Sequence, residues 1–347
     1  MHKIRVAVVG TGFGAKVHLP GYLLNDKYDV RGIYAHTPGK GQAVAAQYGI
    51  YPYGSIDEIA GDGEIDLVSI AAIPKEHFEF AAKAIRAGKA VILEKPMAIC
   101  TGESKELLDL AKENNSKAAL VHEHRFDPSK QYLKKIIETG EYGETRSIEI
   151  LKHMTYWNTP ESERLYDWFA DREAGGGMTG AHLSHQLDFL HFIGNGPLRQ
   201  IQGFGFTEVR NRYDAKAGKY KKHTSDDSVY ALAVTATGIP AAINISASKF
   251  IKIDHIRIFT DKGELRITGQ DSIEFYSITG QREEMVIPAE FLIKNYQSDF
   301  RINSFVCLID AFYSYYYQNG EKRITTFRDG YEIQRELEQI KYEEREV

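Results

Sequence analysis

Ile4-Arg5-Val6-Ala7-Val8-Val9-Gly10-Thr11-Gly12-Phe13-Gly14-Ala15 opens the chain and decides how its first half folds. Residues 4–9 are a short, Val-rich apolar run, as expected for a strand buried on both faces. The turn that follows needs small residues for separate reasons. Gly10 permits a tight strand-to-helix turn. Gly12 lets a pyrophosphate approach the backbone. Ala15 takes the third small position, where helix and strand pack closely, and Gly14 is an extra glycine in the loop beside Phe13. The amides opening the next helix, at the positive end of its dipole, favour a phosphate. A glycine turn alone is weak evidence. Between a strand and a helix it reads as a dinucleotide site, with Gly10, Gly12, Phe13, Gly14 and Ala15 as its cofactor-binding residues.

Working outward, strand and helix signals alternate over the first 120 or so residues. Strands read at 4–9, 29–35, 66–72, 89–94 and 117–122, and helices near 14–25, 39–48, 75–87 and 102–114. Thr101 is the expected N-cap of the last helix, with Glu103 and Glu106 favourable in its opening turns. The alternation implies a doubly wound parallel sheet, a Rossmann arrangement over residues 1–122. Ligands in such folds sit beyond the carboxyl ends of the strands. Gly10, Ile73-Pro74 and Glu94-Lys95-Pro96 all fall at such ends, so Lys95 brings a cation to the place where a dinucleotide's reactive ring belongs.

After residue 123 the pattern changes to an α+β domain, 123–347. A helix reads at 129–139, closed by Gly140. Alternating strands follow at 146–156, 199–210, 228–237, 240–249, 253–260, 263–269 and 272–278, with hairpin turns at Gly238-Ile239-Pro240 and Asp261-Lys262-Gly263. This predicts a large, mostly antiparallel open sheet, one face on helices and the other suited to a subunit interface. Final helices read at 298–318 and 328–343. Residues 156–177 form a long polar loop ending in Gly175-Gly176-Gly177 and carrying Trp157, Tyr166 and Trp168; such loops are often lids or binding loops.

The 347 residues suffice for two domains, and the net charge of −5 gives no support to nucleic-acid binding. No apolar run reaches membrane-spanning length, and no signal-peptide layout is visible. Cys100 and Cys307 lie far apart and read as ordinary thiols. The simplest compartment is the cytoplasm. The tyrosines at 313, 315, 316 and 317 read as helix packing or subunit contact.

The chain resembles the glucose–fructose oxidoreductase, inositol dehydrogenase and rhizopine-catabolism (Gfo/Idh/MocA) family over nearly its whole length. The resemblance rests on the opening glycine turn with His18 behind it, and on Ile73-Pro74-Lys75-Glu76-His77. It continues through Ala87-Gly88-Lys89 to Glu94-Lys95-Pro96, then His124-Arg125-Phe126-Asp127-Pro128 and Gly140-Glu-Tyr-Gly143-Glu. It ends with the triple glycine before His185 and Asp188. It implies a nicotinamide cofactor at the opening turn, with Ile73, Pro74, His77, Glu94 and Arg125 also on its binding side. It implies hydride transfer at a hydroxyl carbon of a sugar, an inositol or a similar polyol, and a homo-oligomer, dimer or tetramer, built through the open sheet.

Chemistry assigns roles within that frame. An ammonium at Lys95 would orient a substrate hydroxyl and stabilise negative charge developing on its oxygen. His185 is the candidate general acid–base, because an imidazole both accepts and returns a proton near neutral pH. Asp188, about one helical turn on, would orient the ring. The family pattern Asp-x-Gly-x-His-x-x-Asp is broken here: Ala181 stands where a carboxylate is usual, and His182 is adjacent to that place. Either Lys95 and His185 suffice, His182 contributes, or the chemistry is altered or lost. Tyr156, Trp157 and Trp168 read as an aromatic wall against a sugar's C–H face, or as the loop's own small core. A metal is not expected: His182, His185 and Asp188 drift around the helix, and His122 with His124 lacks a third ligand. Arg125 and Asp127 read as the cofactor–substrate boundary or as an ion pair at the domain junction.

The second strand ends at Ala35 with His36, Thr37 and Lys40 close by. An NAD site usually has Asp or Glu there to hold the ribose hydroxyls. Without that carboxylate, His36, Thr37 or Lys40 could bind a 2′-phosphate, which tilts the expected cofactor to NADP(H). Two other functions stay open: a non-catalytic dinucleotide-binding regulator of sugar metabolism, and a glycoside hydrolase using a nicotinamide for transient oxidation.

Overall fold

The structure, a computed structural model, describes residues 2–294, 298–318 and 324–343. The chain divides into two compact units: Met1–Phe126 with Ile293–Gln334, and Asp127–Leu292 with Arg335–Val347. A single cut between residues 122 and 123 therefore does not describe it, because a late segment joins the first unit.

The first unit begins as the alternation predicts. Strands β1 (Ile4–Val9), β2 (Tyr28–Tyr34), β3 (Tyr51–Tyr53), β4 (Leu67–Ile70), β5 (Ala90–Glu94) and β6 (Ala118–Val121) alternate with helices. These are α1 (Leu19–Leu23), α2 (Lys40–Tyr48), α3 (Ile56–Gly61), α4 (Pro74–Arg86) and α5 (Thr101–Glu113). Short β3 and α3 were not visible in the periodicity. Every pairing among β1–β6 is parallel, with Val9 opposite Tyr34 and Ile70, and Ile70 opposite Leu93. The carboxyl ends of β1, β2, β4 and β5 thus lie along one edge. Thr101 is not the N-cap of α5. Cys100 holds that position without a side-chain cap bond, and Glu103 reaches back to accept from the Ile99 amide at 3.3 Å.

The second unit carries α6 (Pro128–Thr139), α7 (Ser184–Gly194) and most of a nine-stranded sheet. Its strands are β7 (Thr145–His153), β8 (Gln200–Phe206), β11 (Ser228–Val234), β12 (Pro240–Ser246), β13 (Ile253–Thr260), β14 (Gly263–Ile267), β15 (Ile273–Ser277) and β16 (Arg282–Met285). The hairpin of β9 (Asn211–Asp214) and β10 (Lys219–Lys222) stands apart. Most pairings are antiparallel; β7 with β12 is parallel. Ile148, Ile150, Val229, Ala231, Ile243, Ile245, Ile256 and Ile258 turn to the buried face in register. The other face leaves Phe204 and Leu232 exposed.

The chain then returns. Helix α8 (Phe300–Gln318) and α9 (Phe327–Leu337) follow, separated by the short strand β17 (Thr325–Thr326), which pairs antiparallel with β6. Phe305, Phe312 and Ile309 of α8 are buried against Val6, Val8 and Ile92 of the parallel sheet. The final helix expected to reach residue 343 stops at Leu337. Ile340–Glu343 form β18, parallel to Gly203–Phe206 of β8. Pairing with the sheet edge overrides the helix preference of this Glu-rich segment. Among the described residues no helix is long and apolar enough to cross a membrane.

Candidate active site

The opening turn has the shape its glycines require. Gly10 is left-handed at φ 108°, and a Cβ there would lie 2.2 Å from the Ala71 carbonyl oxygen. At Gly12 a Cβ would meet nothing within 4 Å, so its backbone is open to a ligand. The close packing position is Gly14, not Ala15. Gly14 is buried, and its Cβ would come within 3.2 Å of Val8 and 3.3 Å of Ala71, whereas Ala15 is only partly buried. The shift arises because the helix opens with a π-turn, Gly14–His18, which re-phases the face set against β1. A tight left-handed turn, an open backbone at Gly12 and a close approach at Gly14 fit a pyrophosphate on this edge.

Glu94 ends β5, and the next two residues, Lys95 and Pro96, are joined by a cis peptide bond. Glu94 is buried; its Oε1 lies 3.1 Å from Nε2 of the fully buried His18, and its Oε2 accepts from the Lys95 amide at 3.2 Å. Tyr22 donates to Ser69 Oγ at 3.0 Å, and Ser69 Oγ lies 2.9 Å from His18 Nδ1. That order leaves the Ser69 proton for Nδ1 and the Nε2–H for Glu94. Phe305 stacks on the His18 ring at 4.3 Å. Burial alone would raise the Glu94 carboxyl. The His18 hydrogen bond and the charge of Lys95 outweigh it and hold Glu94 below its ordinary value.

His77 has no solvent exposure. Its Nδ1 is 2.8 Å from the Pro96 carbonyl oxygen and its Nε2 is 3.1 Å from that of Ala72. It therefore ties the loop after β5 to the loop after β4, and burial pushes its pKa down against those two carbonyls. Ile73 is the extended N-cap of α4 and Pro74 its first residue. Arg125 is buried in the 3-10 turn Glu123–Phe126 that follows β6.

Sequence reasoning missed two carboxylates in this unit. Glu123 is 2% exposed, and its Oε2 has no hydrogen-bond partner among the described residues. Burial raises its pKa, as does the negative charge of Glu94, while His124 and Lys95 oppose the rise. Glu76, on the first turn of α4, places Oε1 3.0 Å from Nδ1 of His36. His36, Thr37 and Lys40 are all exposed beyond β2. The signal for Glu76 was tertiary, since it stands forty residues from His36.

In the second unit His182 lies in a π-turn, Thr179–Leu183, that leads into α7. His185 and Asp188 follow on α7 one turn apart, both buried. Tyr156 Oη is 3.2 Å from His182 Nε2, so these two are brought together. Burial pushes the Tyr156 hydroxyl above its ordinary pKa. Asp127 pairs with Lys130 at 3.0 Å within this unit.

Trp157 leaves the aromatic wall. It has no solvent exposure, packs on Phe169 and His223 at 4.9 and 4.6 Å, and carries Arg212 over its ring. It is the core of the long loop. Trp168, 38% exposed, remains open to a ligand. The loop's last glycines hold it close to its surroundings. A Cβ at Gly176 would meet the Phe169 carbonyl oxygen at 2.2 Å, and one at Gly177 would meet Asp226 Oδ1 at 2.2 Å.

Beneath the loop, fully buried Arg212 donates to the Trp157 carbonyl at 3.0 Å and to His223 Nδ1 at 3.0 Å, with Asp227 at 3.7 Å. A ring nitrogen that accepts from arginine is unprotonated. Burial and the guanidinium together push His223 down to about 3. Asp226 accepts from the Thr179 amide at 2.8 Å and the Thr179 hydroxyl at 3.0 Å, which fixes the start of the segment bearing His182 and His185.

Known proteins match this chain along both units. Residues 4–122 match the oxidoreductase family with an NAD-binding Rossmann fold, and residues 131–266 match the GFO/IDH/MocA C-terminal domain. An uncharacterized oxidoreductase of Synechocystis sp. is 30% identical over 319 residues, 88% of this chain and 85% of its own length. Levoglucosan dehydrogenase of Pseudarthrobacter phenanthrenivorans is 28% identical over 202 residues, 56% of this chain and 52% of its own length. A solved levoglucosan dehydrogenase in complex with NADH and L-sorbose shares the fold, with a TM-score of 0.86, 22% identity, and coverage of 98% of this chain and 96% of that one. With its open glycine turn, its Glu94-Lys95 edge and matches along both units, the chain belongs to the GFO/IDH/MocA family of NAD-binding oxidoreductases.

Proposed function

We propose that this oxidoreductase acts on a hydroxyl carbon of a sugar, inositol or similar polyol, with Lys95 and His185 handling the hydroxyl proton. The observation that carries the reading is the ionised Glu94, held by His18 and set against Lys95, at the same strand edge as the open Gly12 backbone. The dehydrogenase names of relatives support it.

A nicotinamide bound at the opening turn supplies the hydride acceptor or donor. Gly10, Gly12, Phe13, Gly14 and Ala15 would hold its pyrophosphate end, and Ile73, Pro74, Glu94 and Arg125 its other parts. Lys95 orients the hydroxyl and stabilises negative charge growing on the oxygen as its C–H bond breaks. Glu94 sets an opposite charge beside Lys95. His185 takes the hydroxyl proton in the oxidative direction and returns it in the reductive one. Asp188 orients that ring, His182 is steadied by Tyr156, and Trp168 with Tyr156 faces the substrate. His77 acts indirectly, by shaping the loop that carries Lys95.

The exposed Phe204 and Leu232 on the open sheet face support assembly of copies through that face. The test of function begins with binding of NADH and NADPH to the purified protein. A panel of sugars and polyols is then offered with the oxidised cofactor. Net growth of reduced cofactor with one substrate class is the expected result. Binding without turnover points to the regulator that Ala181 would favour, and glycoside cleavage without net cofactor change points to the hydrolase.

A further inference from the structure

We propose that Glu76 sets the cofactor preference of this enzyme, accepting from the hydroxyls of an unphosphorylated adenosine ribose and repelling a 2′-phosphate. The inference rests on the reading that a nicotinamide dinucleotide binds at the opening turn.

The parallel register places the end of β2 beside that turn. Val9 is opposite Tyr34, and the Gly10 amide donates to the Tyr34 carbonyl at 2.8 Å. With the pyrophosphate on the glycine turn, the adenosine ribose falls at the end of β2, where a carboxylate selects the free 2′-hydroxyl and a cation selects the phosphate. The strand itself offers only Ala35, His36 and Thr37 there, which is why the sequence favours NADP(H). The fold supplies the missing carboxylate from elsewhere. Glu76 comes from the first turn of α4, which follows β4, and its Oε1 reaches within 3.0 Å of His36 Nδ1. Its side chain is 23% exposed while that of His36 is 75% exposed, so the carboxylate is the anchored member and the imidazole the outer one.

The surrounding charge reinforces the acid. Glu79 adds negative charge near Glu76, and Lys83 is held at 3.0 Å by Glu79 and by Asp57. Lys40 and Lys75, in the first turns of α2 and α4, are exposed, and among the described residues neither points a hydrogen bond at Glu76. A 2′-phosphate, with nearly two negative charges, would meet Glu76 as a like charge. The ribose hydroxyls meet it as an acceptor with open lone pairs. Like-charge contact at a recognition site costs enough to change affinity by at least about tenfold.

The test is a titration of the full-length protein with NADH and with NADPH, read by nicotinamide fluorescence, with no substrate present. NADH binding at least about tenfold tighter than NADPH is the expected result. In Glu76→Gln the gap closes chiefly because NADPH tightens, and in His36→Gln it persists because the carboxylate stays in place. Circular dichroism melts of both variants are expected to match the wild type, since neither residue belongs to the buried core. Wild-type protein that binds NADPH as tightly as NADH overturns the role of Glu76. So does a preference for NADH that Glu76→Gln leaves unchanged. Failure to bind either dinucleotide overturns the cofactor reading itself, and this proposal with it.

Discussion

His18 Nε2 lies 3.1 Å from Glu94 Oε1, with His18 wholly out of solvent and Glu94 nearly so. A carboxylate in such a place would ordinarily take up a proton. The imidazole on one side and the ammonium of Lys95 on the other keep it charged. Removing the charge while keeping the shape tests what it does. Glu94→Gln is expected to lower kcat by about tenfold or more, a larger effect than on NADH affinity, because its main effect passes through Lys95. Unchanged turnover would show that the pair merely packs the strand end.

Lys95→Ala and His185→Ala each remove a group assigned to the reacting oxygen. Each is expected to lower turnover by about 10²–10⁴, with dinucleotide binding retained. Steady-state kinetics on the substrate found by the panel, beside a fluorescence titration, separates the two effects. Near-normal kcat in either folded variant removes that residue from the mechanism.

Asp226 carries the clearest pH dependence of stability. Burial raises its carboxyl from 3.8 to about 7, against the opposing hydrogen bonds from Thr179. Between those values the unfolded chain has released a proton that the folded chain still holds. Stability contributed by this group therefore falls as pH rises from about 4 to about 7, and levels off above that, a loss on the order of 4 kcal/mol. Asp227, also raised by burial, acts in the same direction. Asp226→Asn keeps an oxygen for Thr179 and cannot ionise, so its thermal midpoint should gain on the wild type as pH rises through this window. Parallel curves from pH 4 to 8 would contradict the assignment.

Arg212 joins the long loop to the strands beneath it. Truncation to Ala would leave Asp227 buried without its cation and the Trp157 carbonyl without its donor. The expected cost is about 3–5 kcal/mol, measured as a shift of the urea midpoint at constant slope. Arg212→Lys should recover little of it, because an ammonium cannot reproduce the guanidinium's fork. A shift under about 1 kcal/mol in the Ala variant would show that the loop is held by its aromatic core alone.

Much of this was legible in the residues because local physics sets it. The β1 run, the Gly10 turn, the α4 helix and the Glu94-Lys95-Pro96 edge depend on apolar pattern and on backbone freedom, both written in consecutive residues. Gly14 in place of Ala15 depended on a π-turn, which no periodicity announces. Glu76 beside His36, and Glu123 near Glu94 and Lys95, depended on which strand ends meet. Trp157 looked like a ligand contact because aromatic residues in a loop serve either purpose; the buried Arg212 over its ring decides for the core. Ile340–Glu343 reads as a helix end by composition and becomes a strand because β8 has an open edge for it.

The return of α8 to the parallel sheet has a consequence for how the protein is made. Phe305, Ile309 and Phe312 fill the same core as Val6, Val8 and Ile92, yet they are translated nearly three hundred residues later. A nascent chain that has just emerged through β6 still lacks one wall of its nucleotide-binding half. The inserted unit has every residue up to Leu292 before that wall arrives. Expression of residues 1–126 alone should therefore give an aggregation-prone fragment, and co-expression with 293–334 is the natural way to rescue it.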